Sequence, residues 1–439
     1  MAVQDDPLTF DRDLSRALPT ARRLARELAS SGAEEHGEAL RATLHTVGSR
    51  QRLERIQELP DDDPLRQPLL GWTTVAIEWR VNAHARGAVF RAYRQQRHLV
   101  EEPRPGAYCL ADMLGFALSS ETERREWLAA FARSAEPLAD AVSRYWDRWR
   151  ELGERLAPLK LPWGAGVVVQ PQAWLDQSRD AYEALKLREL TTLLTQSLGA
   201  DIVAGWPAQL TWRSLERWFQ SGGLLTGLAL DPGQPPRALG ASSFLRALAR
   251  LGAAFADASA PSSPCFCLGS EPLGLARREH GALFALLPLG GDFARRQLDV
   301  PSGRLADYRR GVARLLLLGS RLAAVREALR SAAARSASAF RDAYATTLPE
   351  ALGFELHRGL TSAWLRPEVD AAERHVGALL AATRYLDLRE RHDEDFHRNP
   401  RALEELRHVA SVPRASPVTP DDLLRGQSAL ARLLGEALD

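Results

Sequence analysis

The chain is poor in the features by which many secreted, membrane and nucleotide-dependent proteins declare themselves. It has three cysteines, Cys109, Cys265 and Cys267, an odd number whose C-F-C pair is too tight for an easy local disulfide, and this fits a reducing compartment. No stretch approaches the ~18 uncharged apolar residues of a membrane span, and the apolar run at 315 to 319 falls far short. The start, MAVQDDPLTFDRD, carries acids where a secretory leader has a positive segment followed by an apolar run. These absences imply a soluble, cytoplasmic protein with no membrane partner. An excess of one charge is missing too. The formal net charge is +1, with acids and bases interspersed along nearly every predicted helix, so no concentrated positive field invites nucleic acid. Lysine is confined to Lys160 and Lys186 among many arginines, a bias we ascribe to genomic base composition before function. No repeat of fixed period is present, which argues against a solenoid.

What the sequence does contain is helix. Apolar residues recur at three and four positions, as in Leu14, Leu18, Leu24 and Leu28, and again in Leu316, Leu322, Val325 and Leu329. The pattern predicts helices over 11–30, 35–58, 65–99, 109–118, 121–133, 136–157 and 171–199, then over 211–221, 241–258, 273–287, 302–334, 337–348, 368–391, 400–410 and 420–437. Proline-bearing breaks at 60–64, 101–106, 231–236 and 261–264 read as connections. The best strand candidate is 160–171, where Val167 to Val169 are flanked by glycine and proline. The expected fold is all-α with very little β, a large bundle in two lobes around a central cleft. The lobes are expected at 1–160 and 161–439.

Catalytic signatures are sparse. There is no G-x-G-x-x-G after a strand, no P-loop and no G-x-S-x-G elbow. A helical zinc peptidase needs two histidines four apart with a glutamate after the first, yet no H-E-x-x-H occurs and no two of the ten histidines are three or four positions apart. No metal and no cofactor are expected.

The segment SSFLRALARLGAAFADASAP at 242–261 nevertheless resembles the active-site helix of the thimet oligopeptidase and oligoendopeptidase family of zinc metallopeptidases, which reads roughly F-H-E-x-G-H-A-L-H. On that resemblance Gly252 matches the family's glycine, Ala249 and Ala253 stand where the zinc-binding histidines would be, and Arg250 stands where the catalytic glutamate would be. Glu279, ahead of the apolar run HGALFALLPL, falls where the family's third ligand lies. The C-terminal stretch from Asp393 to Leu438 also resembles that family's ending, so the likeness covers 170–439. It implies a catalytically inactive relative that keeps a helical cleft for a peptide or protein partner. A plain core helix, rich in alanine and leucine because both favour helix, accounts for 242–256 equally well. A second placement, on 212–227 with Gln220 and Leu224 as the substituted ligands, suffers from two adjacent glycines.

Other residues carry a chemical reading beside a structural one. Glu279 and His280 form a candidate acid–base pair, or a histidine capping a buried helix. The run from His392 to His397 has metal-ligand types, or is a solvated helix junction before the Asn399-Pro400 turn. Glu78, Asn82 and Arg86 stand four apart on one helix face, either exposed or able to grip a peptide backbone. Cys265 and Cys267 with His280 give three zinc donors and lack a fourth. Tryptophans such as Trp72, Trp79, Trp127 and Trp146 are core by default, or the lining of an aromatic cleft. Two alternatives remain open. One is an enzyme of another class, with a site built from Glu279, His280, His357 or the 392–397 run; the other is a purely structural helical protein.

Overall fold

The computed structural model describes residues 6–113, 121–159, 170–184, 206, 210–221, 239–260, 263–270, 274–352, 362, 371–411 and 418–437. In chain order the helices are α1 (Pro7–Ser31), α2 (Glu34–Thr43), α3 (Arg50–Gln57) and α4 (Arg66–Arg94). A short hairpin of β1 (His98–Val100) and β2 (Gly106–Tyr108) follows, then α5 (Leu110–Met113), α6 (Glu121–Ser134) and α7 (Glu136–Leu156). Next come α8 (Pro171–Gln177), α9 (Arg179–Ala184), α10 (Trp212–Ser221), α11 (Ala241–Ser259), α12 (Phe266–Gly269), α13 (Leu275–Leu286) and α14 (Gly291–Leu298). The last are α15 (Leu305–Arg335), α16 (Ala337–Leu352), α17 (Ala371–His392), α18 (Pro400–Ser411) and α19 (Pro420–Gly435). The fold is all-α apart from that hairpin among the described residues. The strand candidate at 160–171 and the helical stretch at 185–199 lie almost wholly or wholly outside them.

Local chemistry sets the helix ends. Asp6 caps α1 by accepting the Leu8 amide, Pro7 occupies the first turn where its missing N–H costs nothing, and Gly32 closes the helix at φ 72°, a conformation only glycine adopts freely. Between those ends Phe10, Leu14, Leu18, Ala21, Leu24 and Leu28 form one buried stripe. The predicted single helix over 35–58 is in fact α2 and α3, because the backbone at Gly48 presses onto α4: a Cβ there would lie 2.7 Å from the Ala76 carbonyl oxygen. Ser49 then restarts the helix by accepting the Arg52 amide. The break at 101–106 joins two strands, too short for any alternation to show in the sequence.

Two apolar cores result. One joins α1, α2, α3 and the first part of α4 with Leu152 and Leu156 of α7 and with Cys267. The other runs from Val89 through α7, α11, α13, α15, α17, α18 and α19. The loop around α12 plugs the first core. Asp11, buried in α1, accepts the amides of Phe266 at 2.8 Å and Cys267 at 2.7 Å, and the Trp72 indole donates to the Ser270 carbonyl at 2.9 Å. Burial and the neighbouring Asp11 push the Cys267 thiol up, so it stays protonated and packs as a small apolar group.

In the second core α11 lies on α13, α13 on α17, and α17 on α19. Glycine makes each contact close. A Cβ at Gly252 would fall 2.2 Å from the His280 carbonyl oxygen, one at Gly377 2.8 Å from the Arg278 carbonyl carbon, and one at Gly426 2.7 Å from the Leu379 carbonyl oxygen. No helix among the described residues is long and apolar enough to cross a membrane.

Candidate functional site

The position suggested by the oligopeptidase likeness is the contact of α11 with α13. Gly252 is buried, Ala249 and Ala253 are half-buried, and Arg250 is exposed. Just as Gly252 meets the backbone of α13, a Cβ at Gly281 would lie 2.8 Å from the Ala249 carbonyl oxygen. The two helices therefore touch backbone to backbone between 249–252 and 280–281. Alanine and glycine offer no side-chain donor to a metal, and a guanidinium has only N–H donors. These residues do not fit a zinc ion, and no group of three or more His, Cys, Asp or Glu residues is arranged to hold a metal among the described residues.

Glu279 sits on α13 next to this contact but faces elsewhere. Its backbone packs on Gly377 of α17, and its buried carboxylate accepts from Arg384 Nε of the same helix at 2.5 Å. His280, one residue on, is rotated by ~100° about the helix axis. Its Nδ1 meets the Ala276 carbonyl oxygen at 2.9 Å, its ring lies 6.0 Å from that of Phe255, and burial holds its pKa below the ordinary value. Adjacency in sequence thus separates the two groups instead of pairing them. The carboxylate is held by its arginine, so Arg384→Leu is expected to lower stability by about 3 kcal/mol by removing the ion-pair partner of a buried carboxylate. Adding Glu279→Gln to that variant should recover most of the loss in thermal unfolding, and a double variant no more stable than the single one would show that the ion pair is not the cause.

The remaining candidates disperse. Glu78 and Asn82 are buried on α4, not exposed. Glu78 Oε1 accepts from Tyr145 Oη at 2.9 Å and Asn82 Nδ2 at 3.3 Å, while Arg86 Nη1 stands 3.9 Å from Oε2. Burial raises the Glu78 pKa, which Arg86 and these hydrogen bonds oppose. His392 meets Glu405 at 3.0 Å in an ion-paired helix junction, whereas His397 lies against the rings of Phe293 and Trp218. Cys267 belongs to the Asp11 loop and His280 to α13. Gln220 is exposed at the end of α10, and Leu224 and His357 lie outside the described residues. Trp72, Trp127 and Trp146 are buried, and Trp146 meets Tyr145, Trp149 and Phe340 within the core.

One residue that the sequence reading passed over is more unusual. Arg321 of α15 is 3% exposed, yet its hydrogen bonds go to neutral acceptors, with Asp176 and Glu183 acting on it only through space. It donates through Nε and Nη2 to the Ala351 carbonyl at 2.8 and 2.6 Å, and through Nη1 to the Leu175 carbonyl at 2.8 Å and to Ser178 Oγ at 2.5 Å. These groups lie at the C-terminal ends of α8 and α16, where backbone carbonyls lack helical partners and attract a cation. The Tyr182 ring centroid lies 4.5 Å below the guanidinium. A signal was available: Leu317, Leu318, Ala324 and Val325, three and four positions away, are all apolar, so an arginine stands on a buried helix face.

No protein-family model matches the chain, and no curated protein does. Among solved structures, a Pyrococcus furiosus carboxypeptidase is similar over 97% of this chain and 99% of its own, with a TM-score of 0.47 and 11% sequence identity.

Proposed function

We propose that this chain is a helical protein that binds a peptide or protein partner and performs no metal-assisted hydrolysis, as a degenerate relative of the thimet oligopeptidase and oligoendopeptidase family would. The observation that carries the reading is the backbone contact of α11 with α13 at Gly252 and Gly281. At the place where the likeness puts a metal there are methyl groups and main chain, and the adjacent carboxylate of Glu279 is engaged by Arg384. Nothing there polarises water. Binding survives such losses, because a groove depends on helix packing while hydrolysis depends on a few ligands.

Purified protein is expected to contain well under one equivalent of zinc and to leave unstructured fluorogenic peptides intact with or without chelator. A labelled peptide pool should bind in fluorescence polarisation. One tightly held zinc per chain, with cleavage that a chelator abolishes, would overturn the proposal.

A further inference from the structure

Arg321 forms the floor of a cavity of about 300 Å³ between α8, α9, α15 and α16. That is the small end of the range for ligand pockets. Its deep wall is apolar and buried: Leu175, Tyr182 and Ala351. Its rim is charged, with Asp176, Arg179, Glu183 and Glu350, all exposed.

Two features of this cavity narrow what it would take. The first is a buried positive charge without a contacting anion. Burial lowers the Arg321 pKa only to about 10, so the guanidinium is charged at neutral pH, and desolvating a charge costs far more when no opposite charge touches it. Its present partners are two carbonyls and one hydroxyl. Four of its five N–H groups are spent on them, leaving one on Nη2. The second feature is the sign of the rim. Asp176 is paired with Arg179 at 2.8 Å, and Glu183 and Glu350 add carboxylates beyond that pair. A phosphoryl group needs several donors and carries up to two negative charges, which an acidic rim repels. A carboxylate needs less: one guanidinium N–H at the floor, with the Thr347 hydroxyl and the Gln172 amide on the wall able to meet its second oxygen.

We propose that this cavity binds a small zwitterion, its carboxylate directed inward to Arg321 and its ammonium group, several bonds away, held at the rim by Glu183 and Glu350. The site is independent of the peptide-binding reading, since none of its residues belongs to α4, α11 or α13. It also gives the buried guanidinium a contacting counter-charge, where Asp176 and Glu183 act on it only from a distance.

The test varies the ligand so that the protein need not change. In isothermal titration calorimetry at neutral pH and low salt, 6-aminohexanoate is expected to bind saturably at one site per chain. 6-Aminohexanamide, which lacks the carboxylate, should bind at least tenfold more weakly. Hexanoate, which lacks the ammonium group, should lose roughly threefold or more, and added salt should reduce that difference. Thr347→Trp, which fills the cavity from a half-buried position on α16, should abolish binding. The proposal is overturned by absence of saturable binding of 6-aminohexanoate, by equal binding of the amide or of hexanoate, or by a Thr347→Trp protein that binds as well as the original.

Discussion

Acidification from pH 6.5 to 4 is expected to cost the folded state about 3 kcal/mol for each of two histidines, His375 and His397, at ~1.4 kcal/mol per unit of pKa difference. Their rings are buried, 1% and 4% exposed, and among the described residues neither ring nitrogen of either has a hydrogen-bond partner. Burial pushes both down to about 4 from an ordinary 6.5. The sign follows from which state takes up the proton first. Between pH 6.5 and 4 the unfolded chain binds these protons and the folded chain does not, so stability is whole above 6.5 and falls steadily below it. Carboxylates behave in a lower window: Asp422, held down by its Thr419 cap, and Glu436, held down by Arg389, weaken the fold only once pH drops below their ordinary range near 4. Urea midpoints measured from pH 7 to 4 should therefore start level and slope downward once pH passes below 6.5. His397→Phe, placed among Phe293, Trp218 and Phe396, combined with His375→Leu, should flatten the slope. An unchanged slope in the double variant would show that these rings are not the titrating groups.

One substitution made at two glycines should move stability in opposite directions. At Gly252 the added methyl would lie 2.2 Å from the His280 carbonyl oxygen, a main-chain atom that no rotamer change can move aside. Helices α11 and α13 must separate to admit it. Gly252→Ala is expected to destabilise by about 3 kcal/mol even though alanine is the better helix former by about 1 kcal/mol. At Gly319, within α15, a Cβ would meet no other heavy atom within 4 Å. Gly319→Ala should accordingly stabilise by roughly 0.5 to 1 kcal/mol, through the entropy of the unfolded chain. Calorimetric melting of both variants checks the pair, and a neutral Gly252→Ala would mean that the two helices are not in backbone contact.

The elements that were legible in the sequence are those with a long apolar period. The buried stripe of α1 and the leucines of α15 announce their helices because each turn repeats the same demand. The boundary between α2 and α3 was not legible, since what breaks the helix is the main chain of α4 against Gly48, a partner remote in sequence. The hairpin at 98–108 is too short for any periodicity to emerge. For the candidate site, the segment at 249–253 could be singled out by likeness, and its lack of metal donors read directly from residue types. The engagement of Glu279 could not, because its arginine stands 105 residues further on. The burial of Glu78 depended likewise on Tyr145, which is 67 residues away. Arg321 was hidden for another reason: two of its three acceptor groups are backbone carbonyls, which any residue type supplies equally. Only its misfit among apolar neighbours on α15 pointed to it.

The Asp11 loop has a consequence for the order in which this protein is made. The amides of Phe266 and Cys267 are synthesised some 255 residues after the carboxylate they satisfy. A nascent chain emerging from the ribosome therefore holds α1 with an open flank for more than half of its synthesis. During that interval the Asp11 carboxylate lacks these two amides, and the flank closes only when the α12 loop clears the exit tunnel. The first helices translated are thus among those completed late, which makes the newborn N-terminal half the stretch of this polypeptide with most need of shielding from its neighbours.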